Sequence, residues 1–253
     1  MKKFLLALLL VPVLALANVI DEKCADKVLY GAPVPESKTG TYLCRLGYAV
    51  YHDPVFKTPV YVVEHVTRDH LGTVARTDAF IPDPDLPKEQ SAQLKDYAGN
   101  PYDRGHMSPA GNNSWSKEAM NQSFFLSNMV PQVPNNNRGI WKQLEENVRT
   151  WVKAGADIYT IEGPIYDAGY KTIGPGKVGV PTRLYKIIVD VKGNRAIAFL
   201  MPNAELPVKD LPKFAVSIAT VEQATGISFF PKIPADKQPM IQAAPNLSQW
   251  TLK

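Results

Sequence analysis

Tyr102-Asp103-Arg104-Gly105-His106-Met107-Ser108-Pro109-Ala110-Gly111-Asn112-Asn113 is the stretch around which the chain is organised. Asp103 to His106 sets a carboxylate, a guanidinium, a glycine and an imidazole on four consecutive residues. Pro101 precedes them, and Pro109 and Gly111 follow, so the spacing predicts turn-rich backbone rather than the interior of a regular element. Loops held by such turns commonly present reactive groups. The imidazole of His106 is the one side chain here whose ordinary pKa lies near neutrality, so it can take up and release a proton at working pH. Taken alone, the four residues also describe a surface ion pair beside a structural histidine, and the rest of the chain must decide.

The 253 residues suffice for one large domain or two small ones. With 45% apolar and 21% charged residues the composition is that of an ordinary globular protein, and a full core is available. The 22 prolines are spread along the chain, which predicts many ordered loops rather than a disordered linker. Net charge is +4, or +2 without Lys2 and Lys3 (26 basic less 24 acidic). So small an excess neither argues for nor excludes a polyanionic partner, because a local basic cleft matters more than the total.

Met1-Lys2-Lys3, the apolar run over residues 4–16 and Ala15-Leu16-Ala17 together read as an export signal over residues 1–17. The run is shorter than the about 20 residues that span a bilayer, and no later stretch qualifies, so no membrane insertion is expected. The expectation is a periplasmic or extracellular protein with residues 18–253 as a single domain. In an oxidising compartment the two cysteines, Cys24 and Cys44, are expected to pair, closing a loop of about 20 residues worth about 3 kcal/mol.

Outward from the central stretch, residues 42–51 and 60–66 are β-rich and separated by His52-Asp53-Pro54 and Pro59, as in a hairpin with a longer loop. His52, His65 and His70 read as structural or surface residues. A short helix is expected over 91–97, and another from an N-cap at Ser116, with Glu118 in its first turn, to about Ser127-Asn128. Over 140–152, Ile140, Trp141, Leu144, Val148, Trp151 and Val152 fall on one arc of a helix with Lys142, Gln143 and Glu146 opposite. If that helix begins at or just before Asn137, the amide lies in the middle of the apolar arc. It then either caps the helix or binds something. Glu145 lies about 12 Å further along the axis, which disfavours direct binding of one ion by both. Residues 158–162, 182–191 and 196–201 are β-rich, 213–225 is helical, and the proline-rich tail after Phe230 is irregular. Strands and helices do not alternate, so the fold class is α+β, with a mixed, mainly antiparallel central sheet flanked by helices.

Asp103-Arg104-Gly105-His106, then Ser127-Asn128-Met129, then Asn136-Asn137-Arg138-Gly139-Ile140-Trp141 with Leu144-Glu145 resemble the DNA/RNA non-specific endonucleases, the sugar-nonspecific nucleases with a ββα-metal (His-Me finger) site. Arg76-Thr77-Asp78-Ala79-Phe80, Val180-Pro181-Thr182 with Tyr185-Lys186, and residues 218–230 fit that family in the same order, so the resemblance covers about residues 42–230. It implies that His106 is the general base that activates water, and that Asn137, 31 residues later, is the one direct protein ligand of Mg²⁺, with Mn²⁺ able to substitute. It further implies that Glu145 holds a water of the metal's shell and that Arg76 stabilises the phosphorane. Arg149 and Asn128 are secondary members of the site, and Asp103 and Arg104 match the motif without an assigned role. DNA and RNA are the implied substrates, cleaved to 5′-phosphate and 3′-hydroxyl ends. The alternatives are a nucleic-acid-binding protein without catalysis, against which the intact His106, Asn137 and Glu145 speak, and a phosphodiesterase for small substrates. Nothing in the sequence points to an inhibitor protein or to an oligomeric state.

Overall fold

Residues 184–189 are apolar at every position except Lys186, the pattern of a strand covered on both faces. The computed structural model, which describes residues 22–35 and 39–252, places that strand inside a seven-stranded sheet. The expected export signal lies outside the described residues. In chain order the strands that carry the architecture are β1 (Thr41–Cys44), β2 (Ala49–Asp53), β3 (Thr58–Val66), β4 (Asp103–His106), β5 (Met129–Gln132), β6 (Ile158–Ile165), β7 (Arg183–Asp190), β8 (Arg195–Pro202) and β9 (Ala215–Val216). The longer helices among the described residues are α1 (Lys117–Ser123), α2 (Lys142–Lys153) and α3 (Ile218–Thr225).

The large sheet runs β9-β8-β7-β6-β3-β2-β1, and each of its pairings is antiparallel. Strands β4 and β5 form a separate two-stranded ribbon. The chain is therefore α+β with an antiparallel centre, as expected, and β4, β5 and α2 make a ββα unit.

Strand alternation divides the core. Leu184 and Ile188 of β7 join Val62, Val66, Met107, Val130, Leu144, Val148, Trp151 and Val152, so the ββα unit packs on this face. Tyr185, Ile187 and Val189 point the other way, onto Ile218 and Val221 of α3 and onto Phe229 and Phe230. The buried stripe of α2 contributes about 1.5–3 kcal/mol for each side chain removed from water, which fixes the helix against the sheet.

Local chemistry moves several boundaries. Residues 42–51 are two strands, because Arg45 N donates to Tyr48 O at 2.8 Å and turns the chain between β1 and β2. Ser116 caps α1 as expected, its Oγ accepting from Ala119 N at 2.9 Å, but the helix stops at Ser123. The helix expected over 213–225 starts at Ile218, where Ser217 Oγ accepts from Thr220 N, and ends at Gly226 with φ +65°. The tail is not wholly irregular: Gln238–Gln242 is a short helix whose Met240 and Ile241 are buried in the second core. Cys24 and Cys44 form a disulfide, Cα–Cα 6.0 Å, that ties the N-terminal segment to β1. Among the described residues no helix is long and apolar enough to cross a membrane.

Candidate active site

The central tetrad is a strand, not a turn. Asp103, Arg104, Gly105 and His106 pair with Gln132, Pro131, Val130 and Met129 of β5. Backbone pairing fixes the direction of each side chain more firmly than a loop would, since successive residues must alternate. Gly105 is required: a Cβ there would lie 2.0 Å from Gln132 Oε1 and 2.7 Å from Gln132 Cβ. The turn after the strand is clamped by Asn128. Its Nδ2 donates to Ser108 O at 2.8 Å and Ser123 O at 2.9 Å, and its Oδ1 accepts from Ser108 N at 2.9 Å. Asn128 is wholly buried and its amide fully engaged, so it holds the end of the His106 strand and does not line the cleft.

His106 is only 7% exposed, and its Nε2 has no hydrogen-bond partner. Phe124 stands edge-on to the ring at 5.0 Å and Phe80 lies at 5.7 Å. Burial pushes the imidazole pKa down to about 3, with the charges of Arg76 and Arg104 acting in the same direction. The ring is therefore neutral at physiological pH, with a lone pair or proton on Nε2 that nothing in the fold satisfies. Arg76 and Arg104 are held by the same aromatic wall, Arg76 over Phe124 at 4.8 Å and Arg104 over Phe80 at 4.1 Å. Arg76 also donates through Nε to Asp78 at 2.7 Å.

Asn137 does not lie on the α2 helix. Residues Asn136–Trp141 form a wide helical turn in which Gly139 departs from helical geometry (φ −107°, ψ −106°), and α2 begins only at Lys142. The apolar-arc placement of Asn137 is corrected accordingly: an off-helix glycine breaks the periodicity between the amide and the helix. Buried Asn136 anchors the turn, donating to Pro202 O and Ala204 O and accepting from Gln132 Nε2. Asn137 Nδ2 donates to Asp103 Oδ2 at 2.9 Å, which commits its nitrogen and leaves Oδ1 for the cleft it lines. Asp103 also accepts from Arg138 Nε at 2.8 Å and NH2 at 2.6 Å. Burial works to raise the Asp103 carboxyl, but the bonds from Arg138 and Asn137 and the charge of Arg104 outweigh it, and the pKa lies below the ordinary value. Asp103 is thus a positioning carboxylate for Asn137.

These groups meet in a cleft of about 780 Å³. Arg76, Arg104, Arg138, Lys142 and Arg149 line it against two acids, Asp103 and Glu145, so the cleft is cationic although the chain as a whole is nearly balanced. Glu145 sits in the wall on the first turn of α2. Burial raises its pKa to about 7, partly offset by Arg149, Lys186 and Arg76. Arg149, one turn further along α2, donates through NH1 to Asn112 Oδ1 at 3.3 Å. The oxygens of Asn137 and Glu145 are the donors a hard, water-retaining cation prefers. Among the described residues no group of three or more His, Cys, Asp or Glu is arranged to hold a metal. Of the expected site residues, the fold brings His106, Arg76, Asp103, Arg104, Asn137, Glu145 and Arg149 to one cleft, and Asn128 behind it.

The sequence reading quoted Asn112 and Lys186 within longer stretches but gave them no role, and it passed over Glu64 and Glu162. A single charged residue inside each of three apolar strand patterns was the available signal.

Residues 27–236 match the family model described as DNA/RNA non-specific endonuclease. The chain is 37% identical over 240 residues to the mitochondrial nuclease EXOG of Xenopus laevis, covering 88% of this chain and 66% of that protein. It is 34% identical to the mouse (Mus musculus) mitochondrial nuclease EXOG, covering 86% and 64% respectively. It therefore spans about two thirds of the length of these relatives. A solved complex of EndoG with EndoGI, described as showing the mechanism of EndoG inhibition, superposes with a TM-score of 0.77 at 29% identity, covering 85% of this chain and 94% of that one. The mitochondrial location in the relatives' names overturns the periplasmic or extracellular expectation. A basic start followed by an apolar run describes residues 1–17 without fixing their destination.

Proposed function

Because this chain belongs to the DNA/RNA non-specific endonuclease family, we propose that it is a metal-dependent endonuclease hydrolysing phosphodiester bonds of DNA and RNA, with residues 18–253 as a single nuclease domain. The relatives' names support a mitochondrial location. The observation that carries the reading is the buried, neutral His106, its Nε2 unpartnered, at a cationic cleft that also holds Asn137 and Glu145.

In this reading the neutral imidazole of His106 removes the proton of the attacking water. A pKa of about 3 would make the free imidazole a weak base. A phosphodiester anion near Arg76 and Arg104 offsets part of the positive charge that adds to burial in depressing it, so substrate itself moves the His106 pKa upward. Arg76 stabilises the charge that builds on the phosphorane, from a half-exposed side chain held over Phe124. Asn137 Oδ1, oriented by Asp103, would be the direct ligand of one Mg²⁺, and Glu145 would hold a water of its shell. When bound, that ion neutralises the non-bridging oxygen and stabilises the leaving 3′-oxygen. Arg104, Arg138 and Lys142 meet flanking phosphates, contacts that carry no base information and leave cleavage sequence-independent. The products then carry 5′-phosphate and 3′-hydroxyl.

Conversion of supercoiled plasmid to nicked and linear forms, and degradation of total RNA, test the reading with Mg²⁺, with EDTA and with His106→Ala. Metal-dependent cleavage of both polymers, lost in the variant, is expected. A folded wild type that binds but does not cleave would favour a nucleic-acid-binding protein.

A further inference from the structure

Beneath the cleft, on the α2 side of the sheet, the fold buries three ionisable side chains among apolar ones: Glu64, Glu162 and Lys186, each 1% exposed or less. Register puts Lys186 directly opposite Glu162. Lys186 Nζ lies 3.0 Å from Glu162 Oε2 and 5.2 Å from the centre of the Trp141 ring. That pair accounts for itself as a buried ion pair. Glu64 does not, because the one ammonium nearby already has its carboxylate. Burial and the neighbouring Glu162 push the Glu64 carboxyl up, to about 8. A second acid buried beside the first must keep its proton, which costs stability as pH rises, so its retention calls for a reason.

The reason lies in what Glu64 touches. Asn112 Nδ2 donates to Glu64 Oε2 at 3.2 Å, and Asn112 Oδ1 accepts from Arg149 NH1 at 3.3 Å. A guanidinium can only donate, so Asn112 must turn its oxygen to Arg149 and its NH₂ to an acceptor. Glu64 is that acceptor. The backbone closes on the same guanidinium: a Cβ on Gly111 would lie 3.0 Å from NH1. Glu145, four residues before Arg149, shares its helix face.

We propose that Glu64 is a positioning residue for phosphodiester cleavage: through Asn112 it fixes the Arg149 guanidinium in the cleft wall, where it receives a phosphate of the nucleic-acid substrate. The inference rests on the proposed nuclease activity for its kinetics but not for its binding readout. A buried carboxyl whose only task was packing would be replaceable by an apolar residue without moving Arg149. One that orients Arg149 is replaceable only by another acceptor.

The experiment uses the full chain and a double-mutant cycle of Glu64→Ala and Arg149→Ala, with Glu64→Gln and Asn112→Ala alongside. Each is read by kcat and KM on a duplex oligonucleotide, by Kd for a phosphorothioate oligonucleotide in EDTA, and by Tm. Losing a charged hydrogen bond to phosphate corresponds to about a 10–100-fold loss. Arg149→Ala and Glu64→Ala are each expected to show it, mainly in KM and Kd, and the double variant is expected to be no worse than Arg149→Ala. Glu64→Gln, which keeps an acceptor for Asn112, is expected to recover most of the loss. Additive losses, or a Glu64→Gln no better than Glu64→Ala, would overturn the proposal. If Glu64→Ala fails to fold, Asn112→Ala takes its place in the cycle with the same two outcomes. A wild type that binds but does not cleave would sink the nuclease reading and leave the Kd cycle to decide this one. A wild type that neither binds nor cleaves would overturn both.

Discussion

Replacing Glu64 by Gln should make stability far less sensitive to alkaline pH. In the folded protein burial and Glu162 raise the Glu64 carboxyl from 4.5 to about 8. The native state then keeps a proton that the unfolded chain releases near pH 4.5, so the group's contribution is fully present below that value and is lost as pH rises through the folded pKa. At about 1.4 kcal/mol per unit, keeping a carboxyl here costs about 1 kcal/mol at pH 5 and about 4 kcal/mol at pH 8. Gln carries the same shape and the same acceptor oxygen and has nothing to titrate. The stability gap in favour of Glu64→Gln should therefore widen by about 3 kcal/mol between pH 5 and pH 8, or about 6–12 °C in Tm for a chain of this size. Titrating groups remote from Glu64 are common to both proteins and drop out of the difference, and Glu162, which adds to the Glu64 shift, is the one neighbour whose own titration the substitution also moves. Thermal or urea unfolding of the pair at pH 5, 6, 7 and 8 reads it directly. A gap that stays constant over that range would refute the picture of Glu64 as a proton-holding buried acid.

Gly105→Ala should destabilise by about 1–3 kcal/mol, read by Tm, because its Cβ overlaps Gln132 in a ribbon that cannot open without moving His106. Asp103→Ala should free both Asn137 and Arg138 and weaken Mg²⁺ activation about tenfold or more, measured as the metal concentration for half-maximal cleavage. Unchanged metal dependence would mean that Asp103 does not orient Asn137. His106→Ala should lower kcat about 100-fold or more while leaving Kd for a phosphorothioate oligonucleotide nearly unchanged. Cys24→Ser should cost about 2–4 kcal/mol of stability and leave cleavage kinetics alone, because the disulfide fastens the N-terminal segment to β1, apart from the ββα unit.

Much of this was legible in the sequence because periodicity is local. The nearly continuous apolar run over residues 185–191 marked a central strand, and the stripe from Leu144 to Val152 marked α2. Two kinds of information were not local. Whether Asp103 to His106 is a turn or a strand depends on Met129 to Gln132 lying alongside, and the flanking prolines and glycine outweighed a pairing that no short-range signal announces. The break at Gly139 likewise hides in a run that fits a continuous helix until the backbone departs from it. The buried acids were missed for a third reason. Glu64, Glu162 and Lys186 come from three strands, and only the register of the sheet shows that they share a face with α2.

The cleft as a whole is tuned against its own resting state. His106 is depressed by burial and by two arginines, whereas Glu145 is raised to about 7 and Glu64 to about 8. Read as isolated residues, this would be a poor base beside poorly ionised acids. Burial is the first cause of all three shifts; two arginines add to it at His106, whereas Arg149, Lys186 and Arg76 partly offset it at Glu145. A polyanion arriving with a divalent ion supplies both signs at once, moving His106 up and Glu145 down towards the protonation states that hydrolysis requires. Either ligand alone corrects only part of the field. Metal and substrate should therefore each tighten the other's binding, with a coupling carried by the opposite charges they bring to one cleft.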